Sequence, residues 1–244
     1  MRPHDETAPE DSARRAEIAG RLEQLRERIA AACAASARDP AEVTVVAVTK
    51  TYPAADVLHL AALGVRDIGE NRDQEAAPKA VEVAAAGVDV HWHYVGQLQR
   101  NKARSVAHYA TAVHSVDRAR LVEALGAARD VAGGPPLDVF IQVSIDGDTA
   151  RGGALSADVP ALADAIADQP ALHLVGLMAV APLDMRPENA FDALAVVSSE
   201  LRSRHPEASA LSAGMSGDLE AAIERGATHV RVGSALLGMR TKLR

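Results

Sequence analysis

The feature of this sequence that most limits its fold is a regular alternation of short apolar runs with helical patterns. Chains of β-then-α units form parallel sheets covered by helices, and eight such units in about 200 residues match a closed (β/α)8 barrel better than an open sheet. A doubly wound open sheet is the alternative, because strand order cannot be deduced from one sequence. The predicted strands are Val43–Val48, Arg66–Gly69, His91–Val95, Ala112–Ser115, Leu137–Ser144, Leu172–Val180, Ala208–Ser212 and His229–Val232.

A helical pattern precedes the first strand as well as following the later ones. Ile18, Leu22, Leu25 and Ile29 recur at three- and four-residue steps, which predicts an extra amphipathic helix at the N-terminus. The opening "MRPHDETAPEDSARR" is charged and has no apolar signal-peptide core. We therefore expect residues 1–12 to form a disordered tail and residues 13–244 to form one barrel domain. The helices predicted after strands include Ala54–Leu63, Arg118–Val131, Ala157–Ala167, Glu188–Arg204 and Gly217–Arg225.

Composition narrows the cellular setting and the classes of partner. The chain is 48% hydrophobic but only 2% aromatic, so its core is expected to consist of Val, Leu, Ile and Ala. A formal charge of −7 argues against nucleic acid as the main partner. The single cysteine, Cys33, excludes an intrachain disulfide, and no apolar run reaches the roughly 18 residues that a membrane span needs. These features predict a cytoplasmic protein that binds neither nucleic acid nor membranes.

The first strand ends in an unusual way for a buried element. In "VTVVAVTKTYP" the apolar run of residues 43–48 is followed directly by Thr49 and Lys50. A lysine at a strand tip can extend its ammonium group into solvent without further function. Alternatively, the amine is kept at the mouth of a pocket to react with a carbonyl group.

Other chemically capable residues also follow predicted strands. In a (β/α)8 barrel, functional residues gather at the carboxyl ends of the strands, so these positions are expected to converge on one mouth. Besides Lys50 they are Glu70, Asn71, His93, Ser144, Met178, "AGMSGD" at 213–218 and "VRVGS" at 230–234.

Small-residue turns follow the last two strands and favour phosphate binding. "GMSGDLEAAI" offers Ser216 as a predicted helix N-cap and Gly217 as a position where a ligand can approach the backbone, and "RVGSALLG" offers Gly233 and Ser234. Barrels often bind phosphate between the loops that follow strands seven and eight. The alternative is a pair of ordinary capped helices. Asp218 favours that alternative, because a carboxylate facing the ligand would repel phosphate.

Arg231 lies between two valines on the last strand, so its guanidinium is expected to face the barrel interior. A buried cation needs an acceptor, which is either an internal partner such as Glu70 or an atom of a bound ring. His91 and His93 alternate on a strand, but no third ligand has a recognisable metal spacing, so we predict no metal. One histidine is expected to line the pocket, and Met178 is either pocket wall or core.

These features together match one ligand. An amine, a phosphate cradle and an inward arginine suit a molecule with an aldehyde, a phosphate and a ring acceptor between them. Pyridoxal 5'-phosphate (PLP) has all three. Lys50 would form a Schiff base with the aldehyde, and Arg231 would donate to the pyridine nitrogen.

The motifs "AVTKTYP", "DIGENRDQE", "WHYVGQLQRNK", "VHSVD", "GLMAV" and "LSAGMSGDLEAAIERGATHVRVGSALLG" occur in this order across nearly the whole chain. With them the sequence resembles the pyridoxal phosphate homeostasis protein family, also called the PROSC or YggS family. The resemblance implies a fold-type III, alanine-racemase-like TIM barrel that lacks the racemase's second β domain. It departs from the family pattern at Arg72 and Leu237, where aromatic residues are common. The implied cofactor-binding residues are Lys50, Asn71, His93, Met178, Ser216, Gly217, Arg231, Gly233 and Ser234.

The resemblance implies a protein that buffers and delivers PLP without turnover, with PLP-dependent apo-enzymes as recipients. The alternative is a racemase-type enzyme acting on amino acids. Only residues 239–244 follow Gly238, so we expect no second domain over the mouth, and we expect a monomer. A two-base racemase also needs a second proton-transfer group. Tyr52 and Tyr94 are the nearest candidates for that role.

Overall fold

Eight parallel strands close into a barrel in the order in which they occur along the chain, with β8 paired to β1. The computed structural model describes residues 7–238, with side chains from residue 11 onward. The predicted (β/α)8 barrel with an extra N-terminal helix is confirmed. The strands are β1 (Thr44–Val48), β2 (Asp67–Glu70), β3 (His91–Tyr94), β4 (Ala112–Val116), β5 (Leu137–Gln142), β6 (Leu172–Met178), β7 (Ala210–Ser212) and β8 (His229–Val232).

Helices surround the barrel, and short 3-10 turns occur in several of the connections. None of the helices in residues 7–238 combines the length and apolar character that a membrane-spanning helix requires. Within that part of the chain the helices are α1 (Thr7–Ala35), α2 (Ala54–Ala62), α3 (Asp73–Ala85), α4 (Ala103–Tyr109), α5 (Ala119–Ala132), α6 (Val159–Ala167), α7 (Pro187–Arg204), α8 (Leu219–Glu224) and α9 (Ser234–Leu237).

The first helix begins earlier than the sequence suggests. Residues 7–12, which we predicted to be a disordered tail, belong to α1, and residues 1–6 lie outside the described residues. Tertiary contacts explain the difference. Asp11 lies 3.0 Å from the His59 ring, and Arg14 donates to both carboxylate oxygens of Asp56 at 3.0 and 2.9 Å. Because these contacts are polar, they do not produce the apolar periodicity from which a helix is predicted.

Helix α1 also spans the seam where the last units meet the first. Arg28 donates to Glu220 of α8 at 2.6 and 2.9 Å and to the backbone oxygen of Ser216 at 3.0 Å. Near the other end of the helix, Arg14 donates to the Leu237 oxygen at 3.1 Å. The extra helix therefore joins the beginning of the described chain to α8 and α9.

The aliphatic core lies outside the barrel rather than within it. Buried Val, Leu, Ile and Ala residues form two clusters, one around α1, α2, α3, α8 and α9 and the other around α4 to α7. Inside the barrel, strand alternation instead brings Asp67, His93, His114, Ser212 and Arg231 together. The expected aliphatic core therefore occupies the layer between strands and helices, and the barrel interior combines these polar groups with Phe140, which stacks on His114.

We expect Leu25→Ala to destabilise the protein strongly. Leu25 is 1% exposed on α1, and truncating a buried leucine costs about 2–5 kcal/mol through lost burial and a residual cavity. Urea unfolding of the variant would measure the loss. Val131→Ala, at an α5 position that is 71% exposed, is the matched control and should change stability by less than about 0.5 kcal/mol. Equal stability of the two variants would contradict the packing of α1 described above.

Candidate ligand-binding site at the barrel mouth

The turn that carries Lys50 is conformationally constrained. Lys50 is exposed just after β1, and the next residue, Thr51, has φ 68°, a left-handed conformation that β-branched residues rarely adopt. The Thr51 amide donates to Glu75 at 3.0 Å, and the Tyr52 amide donates to the Thr49 oxygen at 3.0 Å. Such conformations persist only where the surroundings fix them, so the lysine leaves the barrel from a defined turn.

A buried ion pair supports this turn from below. The Thr49 hydroxyl donates to Glu70 at 2.6 Å, and Lys79 of α3 donates both to the Thr49 oxygen at 2.9 Å and to the same carboxylate. All three residues are buried. Glu70 therefore pairs with Lys79, and the internal partner that we considered for Arg231 is not Glu70. The sequence did carry a signal for this ion pair, because Lys79 falls on the buried face of α3 beside Ala76 and Ala80.

The loops after β7 and β8 contact each other. The Ser234 hydroxyl lies 3.3 Å from the Ser216 hydroxyl, and the Ala235 amide donates to the same Ser216 oxygen at 3.3 Å. Both loops begin at the carboxyl ends of their strands, which lie at the barrel mouth that also carries Lys50. The two serines that sequence analysis assigned to one ligand group are therefore neighbours in space.

Ser216 is not the N-cap of α8, contrary to our prediction. The N-cap position is Asp218, and the helix begins at Leu219. The Asp218 carboxylate accepts from the Met215 amide at 2.6 Å, so it turns back into its own loop. This geometry weakens the objection that Asp218 would repel a phosphate, because the carboxylate is occupied locally and Ser216 is left to face the β8 loop.

Glycine occurs at two positions of the mouth for different physical reasons. A Cβ on Gly233 would lie 3.3 Å from the Val48 oxygen, so glycine there allows close approach to the end of β1. A Cβ on Gly217 would meet no atom within 4 Å, and its φ is not in the left-handed region. The chain's own packing therefore does not require glycine at 217. The open space over this exposed position can accommodate a ligand.

Arg231 faces the barrel interior, as its position between two valines predicted. Its Nη1 donates to the Ser212 hydroxyl at 2.7 Å and its Nη2 to the Ala179 oxygen at 2.8 Å. Burial lowers the pKa of Arg231 to about 10, against an opposing effect of Asp218. The group therefore remains a cation at neutral pH, and it carries further N–H groups besides those two.

His93 occupies the interior rather than the mouth. Its Nδ1 lies 2.8 Å from Nε2 of His114, and its Nε2 lies 3.1 Å from Asp67, two residues deeper on β2 than its register partner Gly69. His114 in turn contacts the Ser212 hydroxyl at 2.8 Å through Nδ1. Both ring nitrogens of His93 thus have partners inside the barrel, and its place in the pocket lining stays a prediction. Sequence analysis missed His114 and Ser212, whose signal was a polar residue at an inward position of an otherwise apolar strand.

Burial and the neighbouring charges keep the imidazole of His114, inside the barrel, uncharged. Burial lowers the pKa of His114 well below its usual range, and the neighbouring His93, Arg231 and His229 add to the effect. Burial opposes ionisation of Asp67, but its contacts with His93 and His91 outweigh that effect and leave its pKa lowered. A neutral imidazole therefore lies between a cation at one end and a carboxylate at the other.

Asn71 and Met178 follow or end strands at the same mouth. The Tyr94 hydroxyl donates to the Asn71 oxygen at 3.3 Å, and a Cβ on Gly96 would lie 2.2 Å from that oxygen, so glycine lets the two loops touch. Met178 is 2% exposed at the end of β6, in register with Ser212. It belongs to neither aliphatic cluster, which fits a pocket wall better than core filler.

The two departures from the family pattern differ in position. Leu237 is buried in α9 within the aliphatic cluster around α1, whereas Arg72 is exposed at the N-cap of α3, directly after Asn71, and pairs with Glu75 at 3.5 Å. In residues 11–238 no three His, Cys, Asp or Glu side chains are grouped as metal ligands would be.

We expect Lys79→Met to lower the free energy of unfolding by about 3–5 kcal/mol. The substitution leaves the buried Glu70 carboxylate without its cation, which costs far more than a surface pair. Denaturant unfolding would measure the loss. The double variant Glu70→Gln, Lys79→Met removes both charges and should recover much of it. A single variant as stable as the original protein would show that the ion pair has no such role.

Acid should destabilise the protein partly through His229. Burial, followed by the nearby His93, lowers the pKa of His229 to about 4, from an ordinary value of 6.5. Between those values the unfolded chain binds a proton that the folded chain does not, so the free energy of unfolding falls as pH drops below 6.5. His229→Phe removes this effect. Its stability should fall less between pH 7 and 4.5, by roughly 2–3 kcal/mol in urea titrations, and an equal fall in both proteins would refute the assignment.

Known proteins share both the sequence and the fold of this chain. The family model described as alanine racemase, N-terminal domain, matches residues 21–241. The pyridoxal phosphate homeostasis protein of Mycobacterium tuberculosis is 46% identical and covers 93% of this chain and 94% of its own length.

Two solved structures place the barrel in context. PipY of Synechococcus elongatus, solved with PLP bound, has a TM-score of 0.76 and 33% identity and covers 91% of this chain and 100% of its own. Alanine racemase from Corynebacterium glutamicum shares the fold, with a TM-score of 0.67 and 14% identity. The match covers 94% of this chain and 64% of the racemase chain. The chain belongs to the pyridoxal phosphate homeostasis protein family.

Proposed function

We propose that this protein binds pyridoxal 5'-phosphate as a Schiff base on Lys50 and buffers and delivers it within the cell. The observation that carries the proposal is the arrangement around the β1–β8 seam. A constrained turn presents Lys50, the adjoining β8 carries the buried Arg231, and the paired serine loops lie at the same mouth. When bound, PLP supplies an aldehyde carbon that an amine can attack and a ring that can withdraw electrons.

The loops after β7 and β8 are proposed to hold the phosphate. Ser216 and Ser234 bring two hydroxyl groups to one place, and Gly217 leaves the backbone there open to a ligand. Gly233 draws this pair against the end of β1, which sets the spacing between the phosphate and Lys50. Phosphate binding in this position is a recurrent use of the barrel fold.

Arg231 is proposed to face the ring nitrogen, with Asn71 and Met178 beside the ring. Ser212 and Ala179 fix the guanidinium from behind, so its remaining N–H groups can point toward a ligand. A cationic arginine does not give up its proton readily, so the pyridine nitrogen would stay unprotonated. This lowers the ring's capacity to stabilise a carbanion, but it suits a racemase as well as a carrier, so the arginine does not separate the two functions.

The tyrosines favour a carrier over a racemase-type enzyme. Tyr52 donates to the Gly238 oxygen at 2.6 Å, and Tyr94 donates to the Asn71 oxygen. The third, Tyr109, lies on α4 outside the barrel. Burial, with a smaller contribution from Asp73, raises the pKa of both Tyr94 and Tyr109. A tyrosine used as the second base of a racemase needs a hydroxyl that faces the substrate and loses its proton readily.

We also propose that the protein works as a monomer in the cytoplasm and that its recipients are apo-enzymes that require PLP. The unpaired, buried thiol of Cys33 fits a reducing compartment. Size-exclusion chromatography with light scattering tests the monomer. Reactivation of a PLP-dependent apo-enzyme by the loaded protein, compared with an equal concentration of free PLP, tests delivery.

Lys50→Ala should abolish the visible Schiff-base absorbance that PLP produces with the protein. The chain contains four lysines, Lys50, Lys79, Lys102 and Lys242, so borohydride reduction and peptide mapping can assign the adduct without ambiguity. Lys102→Ala is the matched control, because Lys102 is partly exposed and pairs with Asp73, and it should leave the band unchanged. An adduct on the other lysines would overturn the proposal, and racemisation of alanine by the loaded protein would favour the enzyme alternative.

A further inference from the structure

A continuous chain of hydrogen bonds runs through the barrel interior from the mouth toward its amino-terminal end. It starts at Arg231, passes through Ser212, His114 and His93, and ends at Asp67. The successive separations between donor and acceptor atoms are 2.7, 2.8, 2.8 and 3.1 Å. All of these groups are buried except Asp67, which is about a quarter exposed at the start of β2. Packing of the barrel interior alone would not require a polar side chain at each step of this hydrogen-bonded chain.

The chemistry of the groups gives the chain one direction. The Asp67 carboxylate only accepts, so the Nε2 of His93 carries a proton. In neutral His93 the Nδ1 is then an acceptor, and the Nε2 of His114 must donate to it. The Nδ1 of a neutral His114 accepts the Ser212 proton, which leaves the Ser212 oxygen to accept from Arg231. Every member donates away from Arg231 and toward Asp67.

We propose that His114 and His93 are positioning residues, which hold the Arg231 guanidinium toward the ring nitrogen of the bound ligand through this directed chain. The inference rests on the proposed function, because it assigns a ligand to Arg231. Neither histidine touches the ligand in this arrangement. Their contribution is to fix the Ser212 hydroxyl so that its oxygen, rather than its proton, faces the arginine.

His114→Phe is the variant that separates positioning from packing. It keeps an aromatic ring against Phe140, 4.2 Å away between centroids in the native stack, but removes both nitrogens. The matched control is His229→Phe, a second ring of the same core that packs edge-on to Phe140 at 5.2 Å and lies outside the chain. If His114 contributes only packing, the two variants should bind PLP with similar affinity.

The test combines a ligand-free and a ligand-bound measurement. Nitrogen NMR of the ligand-free protein near pH 7.5 should show His93 and His114 both protonated at Nε2, and protonation of His114 at Nδ1 would overturn the directed chain. With PLP, His114→Phe should lower the affinity about tenfold and shift the Schiff-base absorbance maximum. His229→Phe should do none of these.

The outcomes separate the two proposals. If the unaltered protein forms no adduct on Lys50, the proposed function fails, and the NMR result still decides whether the directed chain exists. If that protein binds PLP and His114→Phe binds it with unchanged affinity and spectrum, positioning by His114 is refuted. If His114→Phe does not fold, Ser212→Ala and Ser212→Thr replace it. The chain predicts weaker binding for the alanine variant and recovery in the threonine variant, and equal binding by both would refute it.

Discussion

The pairing of β8 with β1 is the constraint on which the rest of this structure depends. It places Val46 beside Arg231 and Ala47 beside Val232, so the first and last strands of the barrel share one register. Without that closure, Lys50 and the β8 loop would lie at opposite edges of an open sheet. With it, residues separated by more than two-thirds of the chain become neighbours at one mouth. The close approach of Gly233 to the Val48 oxygen depends on the same pairing.

The barrel divides its two physical tasks between two layers. Aliphatic packing between strands and helices supplies the burial that stabilises the fold, through two separate clusters. The interior is thereby free to carry polar groups, which are tolerated because each of His93, His114, Ser212 and Arg231 has hydrogen-bond partners. An interior filled with branched aliphatic residues would hold no cation behind a ligand. The polar interior is thus part of the site and not a weakness of the core.

The sequence predicted what depends on local pattern and missed what depends on long-range partners. The strands, the closed barrel and the inward direction of Arg231 follow from alternation, which is visible in a few consecutive residues. The N-cap of α8 was misassigned to Ser216, because the choice between it and Asp218 depends on where the helix begins. The pairing of Glu70 with Lys79 and that of His93 with His114 each join different elements, and many partners were compatible with the pattern. Residues 7–12 are helical, and Asp11 among them contacts His59 of α2, which their own sequence does not show.

The helix α1 has a consequence for the order in which this chain can fold during synthesis. Arg14 and Arg28 are synthesised about 200 residues before their partners Leu237 and Glu220. Contacts of such large sequence separation are slow to form and leave earlier segments waiting. The seam between β1 and β8 therefore cannot close until β8 has been made. Until α8 and α9 have also been made, the part of the apolar face of α1 that packs against them stays uncovered.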